Sequence, residues 1–485
     1  MTSEKLTIWN HGPFAGRLAV ADGERPCVFC GAPVSIRIDG IPTTAGCYER
    51  AGRQWPEGIT AHTAATAPAV APSTAPEAVS PPRREAASRA RRPEPVVSFS
   101  VEESAEVDDF LRSLRRAVRD EPQREVTREQ AVAALREWHE AVQVEGDPLR
   151  FVSHPGRTGI AALQWLCARY GSMTMPEALR SPRALELTQS SAVLRVPSWV
   201  TPDVAPQPGQ WVTEVDVNAQ YLGATSSTLL GDGEPDELSA EQLAGVDQVA
   251  LAKQPGFVVL TESPDLSGLP AHARQVFRQV ATGWALPTPL ATYLVRDHGV
   301  HLELSEAVVW GETTQGGKTI KRYGKRLGRW AAVFAGGRAR LIEREKAGST
   351  AAGDARKVLK LVYTTFLGGM LRSEEHNDTG SLRPDWSDQV MAQAGANMLR
   401  GLDKAANAGF VSIGGMKDSA WFATPTEDAP ITPEGLQVDA VQPGKWHVNR
   451  YGEVTDAMIT AHNQDNPGRL RKAIIATDKV RRGVA

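Results

Sequence analysis

Apolar and polar positions along the chain change their period from region to region, and each change marks an expected element. In residues 1–60 the apolar residues come in short runs, Val34-Ser-Ile-Arg-Ile38 being the clearest, which predicts strands in a small unit. Residues 61–98 are built from Ala, Pro, Ser, Thr and Arg with almost no large apolar side chain. Such a stretch cannot repay the entropy of ordering and is expected to be a disordered tether. Helical spacing begins at Ser100, where Ser100 and Glu103 match a capping box and Val107, Phe110, Leu111 and Leu114 follow. A second box, Thr127 with Gln130, precedes Val132, Leu135 and Trp138. A third helix is expected from Gly159 to Tyr170, with Ile160, Leu163 and Cys167 on one side.

From about residue 210 the pattern is mixed. Strand-like runs (WVTEVDV, GFVVL, GVHLELSEAVVW, GFVSIG) alternate with helical stretches such as 335–365 and 387–408, and no repeat period is visible. The expected class is therefore α+β. The expected organisation is a Cys-containing module over 1–60, a linker over 61–98, a mainly helical domain over 99–204, a mixed domain over 205–450, and a short C-terminal segment over 451–485.

Composition narrows this further. A chain of 485 residues is too long for one core, and 41% apolar residues can fill two or three. No run of about 18 apolar residues occurs, and MTSEKLTIWNHG lacks the basic head and apolar middle of a signal peptide, so a soluble, cytoplasmic protein with no membrane partner is expected. A net charge of -3 argues against a protein that coats nucleic acid through an overall positive field. One local cluster runs the other way: Lys318, Lys321, Arg322, Lys325, Arg326, Arg329, Arg338, Arg340, Arg344 and Lys346 are opposed only by Glu343 and Glu345. That segment either tracks phosphates or is a solvated helix face.

Of the four cysteines, Cys27, Cys30 and Cys47 crowd into one short stretch and offer three thiolates to zinc, with His62, His11 or a partner as the remaining ligand; a reduced, metal-free cluster is the other reading. Cys167, on an apolar helix face, reads as a small buried hydrophobe.

The candidate chemistry lies in two acidic residues. Trp211-Val-Thr-Glu-Val-Asp216 is a strand that ends on a carboxylate and turns at once into polar, helix-compatible sequence. About 200 residues later, Gly409 to Phe422 reads as two short strands around a glycine turn, presenting Asp418 near the tip of a hairpin. Two such carboxylates on neighbouring strands can share a pair of Mg²⁺ ions, the arrangement that nucleotidyl transfer requires.

At this point the chain resembles family B DNA polymerases. Asp216-Val-Asn-Ala-Gln-Tyr221 is similar to their motif A, the Asp-Val-Asn opening being closest to the protein-primed members of phages and linear plasmids. Lys360-Leu-Val-Tyr-Thr-Thr-Phe-Leu-Gly368 resembles motif B, and Phe410 to Phe422 resembles motif C. Ala285 to Leu294, Glu306 to Trp310, Arg383 to Leu402 and Gln442 to Trp446 are similar to intervening and following stretches, so the likeness covers roughly 205–450. The resemblance implies an antiparallel palm sheet with packed helices and helical fingers at about 316–370. It implies Asp216, Val217 and Asp418 as ligands of two Mg²⁺ or Mn²⁺ ions, and Lys360 on the incoming triphosphate. Further nucleotide contacts come from among Arg338, Arg340, Arg344 and Lys346, with Arg340 and Arg344 favoured, and from Thr364; Tyr221 is the steric gate against ribose.

The implied partners are DNA, as primer-template or end, and dNTPs. The chain departs from the family at Met416, where motif C has its first Asp, at Thr364 and Thr365, where motif B has Asn-Ser, and at Leu367, where it has Tyr. No exonuclease motif is found, since Asp108-Asp109 reads as a surface pair. About forty residues follow Trp446, where the family builds a thumb, so a terminal or accessory protein is expected to replace it. The leading reading is a DNA polymerase-like transferase extending a DNA or protein-linked primer. The alternatives are a catalytically degenerate DNA-binding scaffold and a template-independent terminal transferase.

Overall fold

The computed structural model describes residues 105–481, apart from residues 120, 122–123, 171–172, 196, 316, 374–379 and 425–431, together with four N-terminal strands. Those strands, β1 (Leu6–Ile8), β2 (Leu18–Pro26), β3 (Pro33–Ile38) and β4 (Ile41–Pro42), form one antiparallel meander, and they belong to a unit, Met1–Pro95, separate from Val96–Ala485. Cys27, Cys30 and Cys47, the expected tether and the Ser100 capping box all lie outside the described residues.

The second unit opens with three helices, α1 (Ala105–Ala117), α2 (Arg128–Ala141) and α3 (Pro155–Arg169). The box at the start of α2 forms as its sequence predicts: Gln130 N–H donates to the Thr127 hydroxyl and Thr127 N–H donates to the Gln130 side chain. Helix α3 starts one turn earlier than its apolar spacing suggests, because Pro155 suits a first-turn position and His154 caps the end.

The expected boundary near residue 204 does not separate two cores. Phe110, Leu135, Trp138 and Leu163 of these helices share one apolar cluster with Trp330 and Phe334 of α6 (Gly328–Lys346) and with Leu359 and Val362 of α7 (Thr350–Thr365). Close approach makes this possible. A Cβ on Gly159 would stand 2.6 Å from Phe366, and the Trp330 indole donates to the Gly159 carbonyl at 2.9 Å. The helical stretch 335–365 is in fact two helices: Gly348, at φ +100°, ends α6 in a conformation that suits glycine, and Ser349 caps α7.

A five-stranded antiparallel sheet lies beneath. Its strands are β5 (Ser198–Val200), β6 (Trp211–Val217), β13 (Gly414–Met416), β14 (Ser419–Thr424) and β15 (Trp446–Glu453), in the order β15-β6-β14-β13-β5. One face packs on the long helix α8 (Pro384–Asn407) through Val215, Val217, Met398 and Leu402. The other packs on α9 (Asp456–Asn463) and α10 (Pro467–Arg481) through Val212, Trp421, Met458 and Ile474. The C-terminal segment 451–485, expected as a short tail or reduced thumb, is thus, over its described part, an edge strand and two helices that cover the sheet.

Between β6 and α6, the helix α4 (Gln220–Thr225) leads into a second antiparallel sheet of β7 (Asp236–Ser239), β8 (Gly256–Leu260), β9 (Ala285–Pro287) and β10 (Leu304–Val309), with helix α5 (Thr288–Thr292) following β9. The strand expected over GVHLELSEAVVW is shortened to β10. A separate hairpin, β11 (Glu312–Gln315) with β12 (Lys318–Lys321), follows it. Among the described residues no helix is long and apolar enough to cross a membrane. Cys167 is half-buried, and burial pushes its thiol up.

Candidate active site

The site is assembled at one end of the five-stranded sheet. Strand β6 is central, with apolar Val212, Val215 and Val217 buried, and side chains two residues apart on a strand share a face, so Glu214 and Asp216 point the same way. In the register Asp216 lies opposite Ser419 on one side and His447 on the other.

The hairpin that carries Asp418 differs from its expected form. Gly-Phe-Val-Ser-Ile-Gly is not a strand, and Gly414-Gly415 is not the turn. Both glycines are inside β13 because Trp199 of β5 lies directly over them: a Cβ on Gly415 would stand 2.2 Å from the Trp199 ring. The two-residue turn is Lys417-Asp418 instead, with Lys417 at φ 61°. The turn is locked to the neighbouring strand, Val217 N–H donating to the Asp418 carbonyl at 2.8 Å. Asp216 and Asp418, distant in the chain, therefore stand beside each other.

Their electrostatics follow from that placement. Burial, then the charge of Asp418, then that of Glu214 push the Asp216 carboxyl up from 3.8 to about 8, against the pull of Lys360 and Arg471. Lys360 of α7 thus faces the pair. Tyr221, in the first turn of α4, is mostly buried near Asp418, and burial and that charge push its hydroxyl up to about 12. Tyr363, one turn along α7 from Lys360, is buried near Arg338 and Asp418 and rises to about 12, chiefly by burial. Burial lowers His447 below its usual range, so its ring is neutral at pH 7. Glu214 is fully buried and is paired with Arg450 of β15, while Arg471 of α10 lies at 4.0 Å.

Beside the pair opens a cleft of 390 Å³ whose lining includes Asn218, Arg338, Lys346, His447 and the ion pair of Arg356 with Glu345. Arg338, Lys346 and Lys360 were expected at the site from sequence. Arg356, His447, Asn218 and Glu214 were not. A signal for Arg356 existed, since it precedes Lys360 by one helical turn on the same face. Glu214 and Asn218 had one too, each standing two residues from Asp216, whereas His447 depends on strand pairing, which no local pattern encodes.

Arg338 is not open to the cleft as a free cation: it is buried, donates to the Val441 carbonyl at 2.6 Å and bonds the Asn218 side chain. Arg340 and Arg344, favoured as phosphate contacts, are not brought to the pair. Arg340 donates to the Ala141 carbonyl at the end of α2 at 2.7 Å, and Arg344 bridges Glu137 and Glu140 of the same helix. The Thr364 hydroxyl is turned back onto the Lys360 carbonyl at 2.8 Å. Elsewhere in the basic segment Arg322 pairs with Asp236, Arg326 with Asp232 and Lys321 with Glu312, and Arg329 lies over the Tyr170 ring. Much of that charge is answered by acids remote in sequence.

Among the described residues no group of three or more His, Cys, Asp and Glu could hold a metal ion. Two carboxylates, Asp216 and Asp418, remain. That donor set suits a hard cation which keeps most of its shell as water and substrate oxygen.

No family model matches the chain, and no curated protein matches it. Among solved structures it is similar to Phi29 DNA polymerase complexed with primer-template DNA, with a TM-score of 0.43 at 13% identity over 70% of this chain and 63% of that one. The ternary complex of that polymerase with primer-template DNA and incoming nucleotide substrates gives 0.42 at 11% identity, over 71% and 64%. Its complex with single-stranded DNA gives 0.40 at 13% identity, over 67% and 56%. The chain spans less than two thirds of the length of these polymerase chains.

Proposed function

We propose that this chain is a metal-dependent nucleotidyltransferase of the DNA polymerase type, adding deoxynucleotides to the 3′-hydroxyl of a DNA or protein-linked primer. The observation that carries the reading is the juxtaposition of Asp216 and Asp418, joined through the Val217–Asp418 backbone bond and faced by Lys360. In this reading the five-stranded sheet is the palm, and α6 and α7 are the fingers.

The carboxylate pair fits divalent cations. Burial and the neighbouring charges of Asp418 and Glu214 push the Asp216 carboxyl up to about 8, so a cation would relieve a repulsion built into the fold. Asp216, Val217 through its backbone, and Asp418 would hold Mg²⁺ or Mn²⁺, and the bound ions supply neutralisation of the triphosphate and activation of the attacking oxygen. Lys360 contributes a point charge to the phosphates, and Lys346 adds a cation to the adjoining cleft, where Arg356 is paired with Glu345. Arg338 orders the turn after Asp216 through Asn218. Tyr221, mostly buried and within reach of the Asp418 charge, would be the ring that excludes a 2′-hydroxyl. DNA and dNTPs are the partners this assigns. Zinc at Cys27, Cys30 and Cys47 and an accessory protein in place of a thumb remain proposals of the sequence.

Incubation with Mg²⁺ or Mn²⁺, a primed template and labelled dNTPs tests the reading, with Asp418→Ala as control. Incorporation that disappears in the variant is expected. Absence of incorporation on DNA and protein-linked primers alike refutes turnover.

A further inference from the structure

The chain leaves the end of β6 by a strained route. Ala219 sits at φ 43° and ψ 49°, in the left-handed region that a residue with a Cβ enters at a cost. It stands between Asn218 and the first turn of α4, which carries Tyr221. Backbone strain of this kind persists only where its surroundings hold it.

Asn218 is held on every side. Its N–H donates to the Lys445 carbonyl at 2.7 Å, and Gly444 N–H returns a bond to the Asn218 carbonyl at 2.6 Å. Its side-chain amide donates to the Ala440 carbonyl at 3.0 Å, and its side-chain oxygen accepts from Arg338 of α6. The other arm of that guanidinium donates to the Val441 carbonyl at 2.6 Å, and both side chains are more than nine-tenths buried. Helix α4 rests on the same loop: a Cβ on Gly223 would stand 2.7 Å from the Gly444 nitrogen. Arg338 thus clasps the loop 440–445 and the turn after β6 to α6.

The clasp reaches the carboxylate site in two ways. A trans peptide points its C=O away from its N–H. With Asn218 N–H held toward β15, the Val217 carbonyl is directed to the opposite side, where the turn into β14 carries Asp418. The left-handed step at Ala219 then turns the chain into α4 and so fixes where the Tyr221 ring stands. We propose that Arg338 and Asn218 are positioning residues: by holding this strained turn they aim the Val217 carbonyl at the cations and the Tyr221 ring at the sugar of the incoming nucleotide. The roles of cation and sugar rest on the transferase reading above.

The test uses the full chain and reads ion binding apart from turnover. Asn218→Ala is expected to weaken Mn²⁺ binding, followed by electron paramagnetic resonance, about 10-fold, as is usual when a group that orients a metal ligand is lost. The preference for dNTP over rNTP in single-turnover incorporation is expected to fall by about as much. Arg338→Lys keeps the charge but loses the two-armed donor, and is expected to do the same. Ala219→Gly, whose backbone enters the left-handed region freely, is expected to bring Asn218→Ala back to within about threefold of the parent. Asn218→Ser, which keeps an acceptor for Arg338, carries the same comparison should Asn218→Ala fail to fold. A merely structural role would lower the urea midpoint and leave Mn²⁺ affinity and sugar preference at parental values. That result, full affinity in Arg338→Lys, or no restoration by Ala219→Gly would each overturn the proposal. A parent that binds no Mn²⁺ strikes the transferase reading and this inference with it, whereas binding that the variants retain in full strikes this inference alone.

Discussion

Replacing Asp216 by Asn should make the metal-free protein more stable at neutral pH, although it removes a residue from the proposed machinery. In the folded chain the Asp216 carboxyl stands at about 8 against 3.8 when unperturbed, so folding favours its protonated form. A group raised in this way contributes stability that is complete below the unfolded value and is lost as pH rises towards the folded one. The loss runs at about 1.4 kcal/mol per pH unit across that window, so between pH 5.5 and 7.5 the parent should lose about 3 kcal/mol from this source. Asn is isosteric with the protonated acid and carries no such dependence. The difference in unfolding free energy between Asp216→Asn and parent should therefore widen by about 3 kcal/mol over those two pH values.

Equilibrium urea unfolding in EDTA, followed by tryptophan fluorescence, measures it. Saturating Mg²⁺ or Mn²⁺ should then restore stability to the parent at pH 7.5, by about 2.7 kcal/mol at a hundredfold excess over Kd, and do nothing for the variant. If parent and variant keep a constant offset between pH 5.5 and 7.5, or if cations stabilise both alike, the two carboxylates do not share a site and the reasoning fails.

Other consequences are open to measurement. Tyr221→Ala should admit ribonucleotides at least about 10-fold better relative to deoxynucleotides, as expected when about 1.4 kcal/mol of steric exclusion is removed; single-turnover incorporation of paired dNTP and rNTP substrates reads this ratio. Glu214→Gln should destabilise by about 3 kcal/mol, because it leaves Arg450 without its buried partner, and urea unfolding at pH 7.5 would show it. Gly159→Leu should cost about 3 kcal/mol or prevent folding, since even a Cβ meets Phe366 at 2.6 Å; the urea midpoint and near-ultraviolet dichroism report it. Lys417→Gly should stabilise by about 0.5 kcal/mol, relieving the left-handed backbone at φ 61° at some cost in unfolded-state entropy.

Local patterns were enough for several elements. Strand β6 runs from Trp211 to Val217, β8 from Gly256 to Leu260 and the Thr127 box caps α2, all where the apolar period and capping residues place them. The residue types of the proposed chemistry, an acid at a strand end and an acid in a turn, were legible too, because a carboxylate at such a position is a feature of a few neighbouring residues. What local sequence left open was partnership. The glycines before Met416 read as a turn until Trp199, some two hundred positions away, was seen to require them flat in a strand. The arginines of α6 read as phosphate ligands until Ala141, Glu137 and Glu140 of α2 were seen to occupy two of them and Asn218 a third.

The pairing of β6 with β14, the neutral His447 across from Asp216 and the raised carboxyl of Asp216 likewise arise from groups that meet only through sheet register and helix packing. A side chain's type and its local conformation are properties of a short window. Its charge state, its partners and the neighbour that completes a site depend on which distant surfaces bury one another, and here the fold alone settled that.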